Sequence, residues 1–473
     1  MQYSIVNYKT VKENSDFRID AEYFYPEFLR NEKLFRKHKV VYFNKNFVDI
    51  KFGTTPKGAH FQESGIPFVR SQNFSNGFID DRDLVYIKKE NHLEQIKSKI
   101  ILKDILIAAV GATIGEIGFS TIKEGNTNQN VARVRVKSEN IYPEFLFAFL
   151  KSKYGQYQLG KLNTGNAQAY LNSLNIASLF TVELSKPFQE KIQELIASAY
   201  QKLENSQSFY SQAEELLLSE LGLADWKPKH RLTFVKNFSE TQKAERIDAE
   251  YFQPKYEEII EAVKKYKEGF DELGNLVKIK KSVEPGSEAY QEKGIPFVRV
   301  SNLSKFEFAN NNQQFISEEL YGELKNHQPK QGEILLSKDA TPGVAYYLNE
   351  EPQKMIVSGG ILRLKVDNGQ VLPEYLTLVL NSVIVQKQIE RDAGGSIINH
   401  WRPDQVKATL IPLLKEAKQK EIKELIEKSF NDRKLSKSLL EIAKRGVEIA
   451  IEKDEQEAEK WIKSELAKLE IKL

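Results

Sequence analysis

Two glycine-rich stretches have spacings that could do phosphate chemistry. The first, Gly53-Thr54-Thr55-Pro56-Lys57-Gly58, has the glycine spacing of a phosphate loop. It continues Ala59-His60, where such a loop needs a lysine and a hydroxyl, so it reads as a turn whose backbone could face a phosphate. The second, Gly111, Gly115 and Gly118, lacks the tight first glycine pair of a dinucleotide fingerprint and reads as strand–turn–strand. Asp20 and Glu22, repeated as Asp248 and Glu250, could pass for a carboxylate pair. Beside Arg18 and Arg246 they read better as structural ion pairs or a docking edge. The six histidines (His38, His60, His92, His230, His327 and His400) show no metal-ligand spacing. With no cysteine there is no thiol nucleophile, thiolate site or disulfide framework. No cofactor and no metal site is expected.

The elements that hold these residues belong to a folded, multidomain chain. Its 473 residues are 41% hydrophobic and 29% charged, too long for one ordinary domain. The net charge is only +3, from 69 basic against 66 acidic residues. A near-balanced sum still allows local basic patches, so nucleic acid is not excluded. Met1 to Thr10 lack an apolar signal core, and no run of about 18 apolar residues occurs. No membrane association and a cytoplasmic location are expected.

The chain is written twice. Arg18 to Phe24 (RIDAEYF) recurs unchanged at Arg246 to Phe252, and Gly65 to Arg70 (GIPFVR) at Gly294 to Arg299. Asp104-Ile105-Leu106-Ile107 is echoed by Glu333-Ile334-Leu335-Leu336, Pro143-Glu144-Phe145-Leu146 by Pro373-Glu374-Tyr375-Leu376, and Ile192 to Ile196 by Ile422 to Ile426. One spacing in five ordered windows marks a tandem duplication.

Each copy has one plan. Ile66 to Val69, Ile105 to Val110 and Val131 to Val136 read as strands. Tyr142-Pro143-Glu144 reads as a helix start, because proline is tolerated in a first turn. A long helix closes each copy, about 187–221 and about 416–453, the first ended by Gly222 and Pro228. In the first, Ile192, Ile196, Ala199, Leu203, Ser206, Tyr210, Ala213 and Leu217 step by four and three. In the second, Ile422, Ile426, Ser429, Arg433, Ser436, Leu440, Ala443 and Val447 repeat the register. This is a heptad seam with a small residue in every heptad, so two helix axes can approach closely. The expected fold is mixed α/β, a duplicated domain plus long helix. If a two-fold axis relates the copies, the two helices pack as an antiparallel coiled coil. The expected domains are 1–184, 185–225 (long helix and linker), 226–412, and 413–473 (second long helix and extension).

Together these motifs resemble the specificity subunits of type I restriction–modification systems, over nearly the whole chain and twice. The resemblance rests on Gly65 to Arg70 ahead of Asn73, Asp104 to Ile107, Gly111 to Gly115, the "TNQ" turn within Asn126 to Asn130, Thr164 to Gln168, and the helix start at Gln189 and Ile192. The second copy keeps Gly294 to Arg299, Ala340 to Gly343, Gly394-Gly395-Ser396 and Gln419, but has Met355 to Gly360 in place of a clear "TNQ" turn. The resemblance implies two target-recognition domains, each reading half of a split double-stranded DNA site, with the coiled coil as spacer. It implies two methyltransferase subunits as partners, then the restriction subunits. The chain has no Asn-Pro-Pro-aromatic or Asp-Pro-Pro-aromatic tetrapeptide and no Phe-x-Gly-x-Gly, so it is expected not to be an enzyme itself. A duplicated scaffold that never reads bases is the competing reading.

Candidate DNA contacts are polar and basic residues on loops beside the repeated strands. In the first copy they are Lys51, Lys57, Arg70, Gln72, Asn73, Asn166, Gln168 and Tyr170. In the second they are Lys280, Lys281, Arg299, Ser301, Asn302, Lys338, Asn399, His400 and Trp401. Arg, Asn and Gln can pair with base edges, while Lys and backbone N–H groups hold phosphate. Arg70 and Arg299, present in both copies, lean toward framework roles. Positions that differ, such as Gln72 against Ser301 and Tyr170 against His400, are the better readers.

Overall fold

A computed structural model describes every residue except 1–4, 13–18, 20–22, 36, 57, 59–60, 75–76, 81–83, 112, 164–169, 310–311 and 394–399. The chain forms two compact units. The first comprises Met1–Glu204 with Arg433–Leu473, the second Asn205–Asp432. The long helices are Lys186–Glu220 and Glu416–Glu452, within a residue of the expected spans. Both boundaries between these units fall inside the long helices, because each unit's core draws on part of both.

In the first unit the central sheet runs Val48–Phe52, Val131–Val136, Ile105–Ala108, Ile117–Phe119, all antiparallel. Ile105–Ala108 is buried at every position, as an unbroken apolar run requires of a strand covered on both faces. A second sheet runs Val85–Ile87, Ile66–Val69, Glu124–Thr127, Lys99–Ile101, with Ile66–Val69 parallel to Glu124–Thr127. A third pairs Lys39–Tyr42 with Phe180–Glu183. The helix Pro143–Lys151 opens on its proline, whose missing N–H costs nothing in a first turn, and buries Glu144 through Leu150.

The second unit repeats this topology with one strand fewer in its second sheet. Val277–Lys281, Ile361–Val366, Ile334–Ser337 and Ala345–Tyr347 form the central sheet. Gln314–Ile316, Ile295–Val298 and Ile356–Val357 form the second, again with one parallel pair. Phe270–Glu272 pairs with Leu410–Pro412. Gly65 and Gly294 open the repeated strands at φ 138° and 145°. A Cβ there would lie 2.7 Å from the Ile87 carbonyl oxygen or 2.3 Å from that of Ile316, so both copies require glycine.

The seam residues are buried as their spacing demands. Ile192, Ile196, Ala199, Ala443 and Val447 enter the first unit's core, with Leu203 and Leu440 packed against it half-buried, and Tyr210, Ala213, Leu217, Ile422 and Ile426 enter the second's. The C-terminal segment forms a further helix, Glu455–Lys468, whose Ala458, Ile462 and Leu466 complete the first core.

Two glutamines at the helix starts show what the duplication preserves. Gln189 Nε2 donates to the carbonyls of Asn140 and Leu184, both at 2.9 Å, and its Oε1 accepts from Tyr142 N at 2.8 Å. Gln419 makes the same three bonds, to Gln370 O, Leu414 O and from Leu372 N. Each clamps a long helix to the loop before the proline-led helix. Buried amides must be satisfied, and here all three partners are backbone.

Candidate nucleic-acid interface

In the first unit the described candidates gather around the Thr127–Asn130 turn. Thr127 Oγ1 donates to Val69 O at 2.8 Å, which brings Arg70 and Gln72 to the turn. On the other side, Thr54 N donates to Thr127 O at 2.9 Å and Thr55 Oγ1 to Gln129 Oε1 at 2.7 Å. Lys51 is exposed on the strand leading into this loop. Tyr170, 44% exposed, bridges to Val110, and its ring lies 6.4 Å from that of Phe52. A glutamine, an exposed tyrosine and a lysine thus share one end of the sheet.

The second unit builds the same end from different residues. Ser358 N donates to Val298 O at 2.8 Å, and Ser282 Oγ donates to Val357 O. Lys280 and Lys281 are exposed on the strand leading in, and Ser301 is exposed on the turn after Arg299. Lys338 N donates to Gly360 O at 2.9 Å. Asp339 accepts from His400 Nδ1 at 2.8 Å and also holds the Lys338 ammonium. The His400 side chain is 60% exposed, with its second nitrogen left outside this pair. Val110 and Tyr170 in one unit are therefore replaced by Asp339 and His400 in the other, on matching bridges.

Some expectations are corrected. Trp401 is 1% exposed and fills the core position that Leu171 holds in the first unit; Trp401 N donates to Lys338 O as Leu171 N does to Ala109 O. Asn73 and Asn302 are 1% and 0% exposed. Their Oδ1 atoms accept from Arg70 N at 2.8 Å and Arg299 N at 3.1 Å, closing the turn after the repeated strand. None of the three can touch a base from these positions. Arg299 spends an Nη2 bond of 2.6 Å on Asn312 O, consistent with a framework role. Lys57, Asn166, Gln168 and Asn399 lie outside the described residues, as do Arg18, Asp20 and Glu22. In the second copy Arg246 grips Asp248 with two bonds of 2.7 Å, the structural pair expected of that motif.

Sequence reasoning missed Gln129 and Asp339. Gln129 lies inside the "TNQ" turn, and Asp339 directly precedes the Ala340–Gly343 turn. Behind the surface, Asp49 and Arg133 pair at 2.6 Å. Burial, which alone would raise the Asp49 carboxyl, is outweighed by this bond, and the group is held below the ordinary range. Among the described residues, no group of acidic and histidine side chains could hold a metal ion. No helix among them is long and apolar enough to cross a membrane.

The architecture is a tandem pair of mixed α/β units, each presenting a polar sheet end and contributing to two long helices. The chain belongs to the type I restriction–modification DNA specificity family, whose profile matches residues 37–216 and 267–444. It is 26% identical over 167 residues to the MjaVIII type I restriction enzyme specificity subunit of Methanocaldococcus jannaschii, covering 34% of this chain and 38% of that one. It is 29% identical over 155 residues to the EcoBI specificity subunit of Escherichia coli, covering 31% and 32%. The alignments thus span about a third of each curated relative. Among solved structures, the type I S subunit from M. genitalium aligns over 91% of this chain and 95% of its own at 12% identity and TM-score 0.36. The subunit from Thermoanaerobacter tengcongensis aligns over 87% and 98% at 13% identity and TM-score 0.27.

Proposed function

We propose that this chain is the non-catalytic DNA-reading subunit of a cytoplasmic type I restriction–modification complex, each unit reading one half of a bipartite double-stranded site. One observation carries the reading. The same sheet end is built twice around matching bridges, yet its side chains differ: Gln72 against Ser301, and the Val110–Tyr170 bridge against Asp339–His400. A shared frame with different tips is what two heads reading different base edges need.

The two long helices act as an antiparallel coiled-coil spacer. Pairs within each unit support opposed directions. In the first unit, a Cβ at Gly446 would lie 3.8 Å from Ile192 Cδ1. In the second, Ser206 meets Ser429 and Glu220 meets Lys418. A helix of 35 residues spans roughly 52 Å at about 1.5 Å per residue. That length suits two heads about one DNA turn, 34–36 Å, apart.

Two methyltransferase subunits, and then restriction subunits, dock on this scaffold. Exposed apolar residues recur in the leading segment of both copies: Ile5, Tyr8 and Ile19 in the first, Val235, Phe238 and Ile247 in the second. Repeated apolar surface fits one partner bound twice.

The test is a domain exchange. Residues 1–184 are replaced by a relative's equivalent, and methylated DNA from cells carrying the exchanged chain with its methyltransferase is sequenced. One half of the methylated motif should change while the other half and the gap persist. A change in both halves, or in neither, would leave the chain as a scaffold without base reading.

A further inference from the structure

Asp339 and His400 face each other on an isolated antiparallel bridge in the second unit. Backbone bonds hold it in place. Trp401 N donates to Lys338 O at 2.8 Å, and Lys338 N donates to Gly360 O at 2.9 Å. Trp401, 1% exposed, anchors the segment in the second core, so the residue before it is presented from a fixed point.

The pair has a defined polarity. A carboxylate oxygen only accepts hydrogen bonds. His400 Nδ1 lies 2.8 Å from Asp339 Oδ1, so the single proton of a neutral ring sits on Nδ1. The Lys338 ammonium binds Asp339 Oδ2, which balances the carboxylate charge before any phosphate approaches. The other ring nitrogen, Nε2, then carries a lone pair and no proton. It belongs to a side chain 60% exposed and bonds to none of the described residues. The matching bridge of the first unit, Val110–Tyr170, offers no ring nitrogen.

An exposed acceptor discriminates between base edges in the major groove. Adenine N6 and cytosine N4 donate there, whereas guanine N7 and O6 and thymine O4 accept. Each base pair places one such amine on one of its strands, so a fixed acceptor reads which strand carries it.

We propose that His400 Nε2 accepts a hydrogen bond from an exocyclic base amine, adenine N6 or cytosine N4, and that Asp339 is the positioning residue that makes it an acceptor. The proposal rests on the second unit being a DNA-reading head and adds the class of base edge that it reads. An imidazole released from the carboxylate favours the Nε2–H form and donates instead, which suits guanine or thymine. The choice of base therefore depends on Asp339, which need not touch the base.

The test is the motif methylated in cells carrying the full chain with its methyltransferase, sequenced for the parent, Asp339→Ala and His400→Ala. In the half-site that the exchange of residues 1–184 leaves intact, one position should favour adenine or cytosine on one strand at least about fivefold over guanine or thymine. His400→Ala should erase that preference and spare the rest of the motif. Asp339→Ala should move it toward guanine or thymine. Nitrogen-15 NMR of the imidazole gives a second readout at about pH 8, above the ordinary histidine value of about 6.5. The His400 proton should lie on Nδ1 in the parent and on Nε2 in Asp339→Ala, with the melting temperature unchanged. An Asp339→Ala motif identical to the parent's, or a parent proton on Nε2, overturns this inference alone. So does a loss from His400→Ala that is equal for all sequences, the mark of a phosphate contact. A parent chain with no sequence preference overturns the base-reading function itself, and this inference with it.

Discussion

Ser429 Oγ donates a hydrogen bond of 2.8 Å to the carbonyl oxygen of Ser206, and the two hydroxyls lie 3.2 Å apart with both residues fully buried. The pair sits where the seam narrows to small side chains. Ser429→Ala should cost about 1 kcal/mol in denaturant unfolding, the net worth of one buried bond. Ser429→Leu should cost about 1–3 kcal/mol by overpacking. An alanine variant less stable than the leucine one would mean the seam is loose here.

Glu333 and Arg363 form a two-bonded ion pair with side chains 4% and 1% exposed. Removing one partner strands the other charge. Glu333→Gln should therefore destabilise by about 3–5 kcal/mol, whereas a joint Glu333→Gln, Arg363→Met change should recover much of the loss. Chemical denaturation of the single and double variants decides it; no recovery in the double variant would rule out a stranded charge as the cause.

Glu390 carries an acid-sensitive contribution. Burial, which raises its pKa, is outweighed by hydrogen bonds from Lys255, Lys387 and Tyr256, and the carboxyl falls from 4.5 to about 2. A depressed folded-state value means the stabilisation is fully present above the unfolded pKa. It is lost as pH falls from about 5 through about 2. The side chain is 41% exposed, so screening keeps the effect modest. Melting curves across that range should show a shallower decline for Glu390→Gln than for the parent chain; parallel declines would refute the assignment.

DNA binding should separate by residue type. Lys51→Ala should weaken binding to all sequences alike and reduce the salt slope by about 1, as loss of one phosphate contact does. His400→Ala should change the preferred base in one half-site and leave the other half intact. Binding-site selection at two salt concentrations reads both effects. A sequence-dependent loss from Lys51→Ala would reverse the division of labour.

What the sequence made legible followed from periodicity. The seam positions, the strands at Ile66, Ile105 and Val131, and both long helices are local patterns, and local patterns survive folding. Gln189 and Gln419 were visible as helix-start markers, but not as three-bond clamps, because their partners lie up to 49 residues away. Trp401 was misread because an aromatic after a Gly-rich polar loop looks like a surface reader. Its burial in the second unit's core shows it turned inward. The division into units was also illegible, since which stretch of a continuous helix joins which core is settled by packing alone.

That division governs the order in which the protein can be completed on the ribosome. Residues 205–432 form one uninterrupted unit, whereas the other closes only with Arg433–Leu473. Leu439, Ala443, Val447, Ile462 and Leu466, all part of its core, are synthesised only after the other unit's residues 205–432. The half that begins first must therefore finish second. Until then Ile192, Leu195, Ile196 and Ala199 lack their apolar cover, a window in which a stalled or shortened chain is exposed to aggregation.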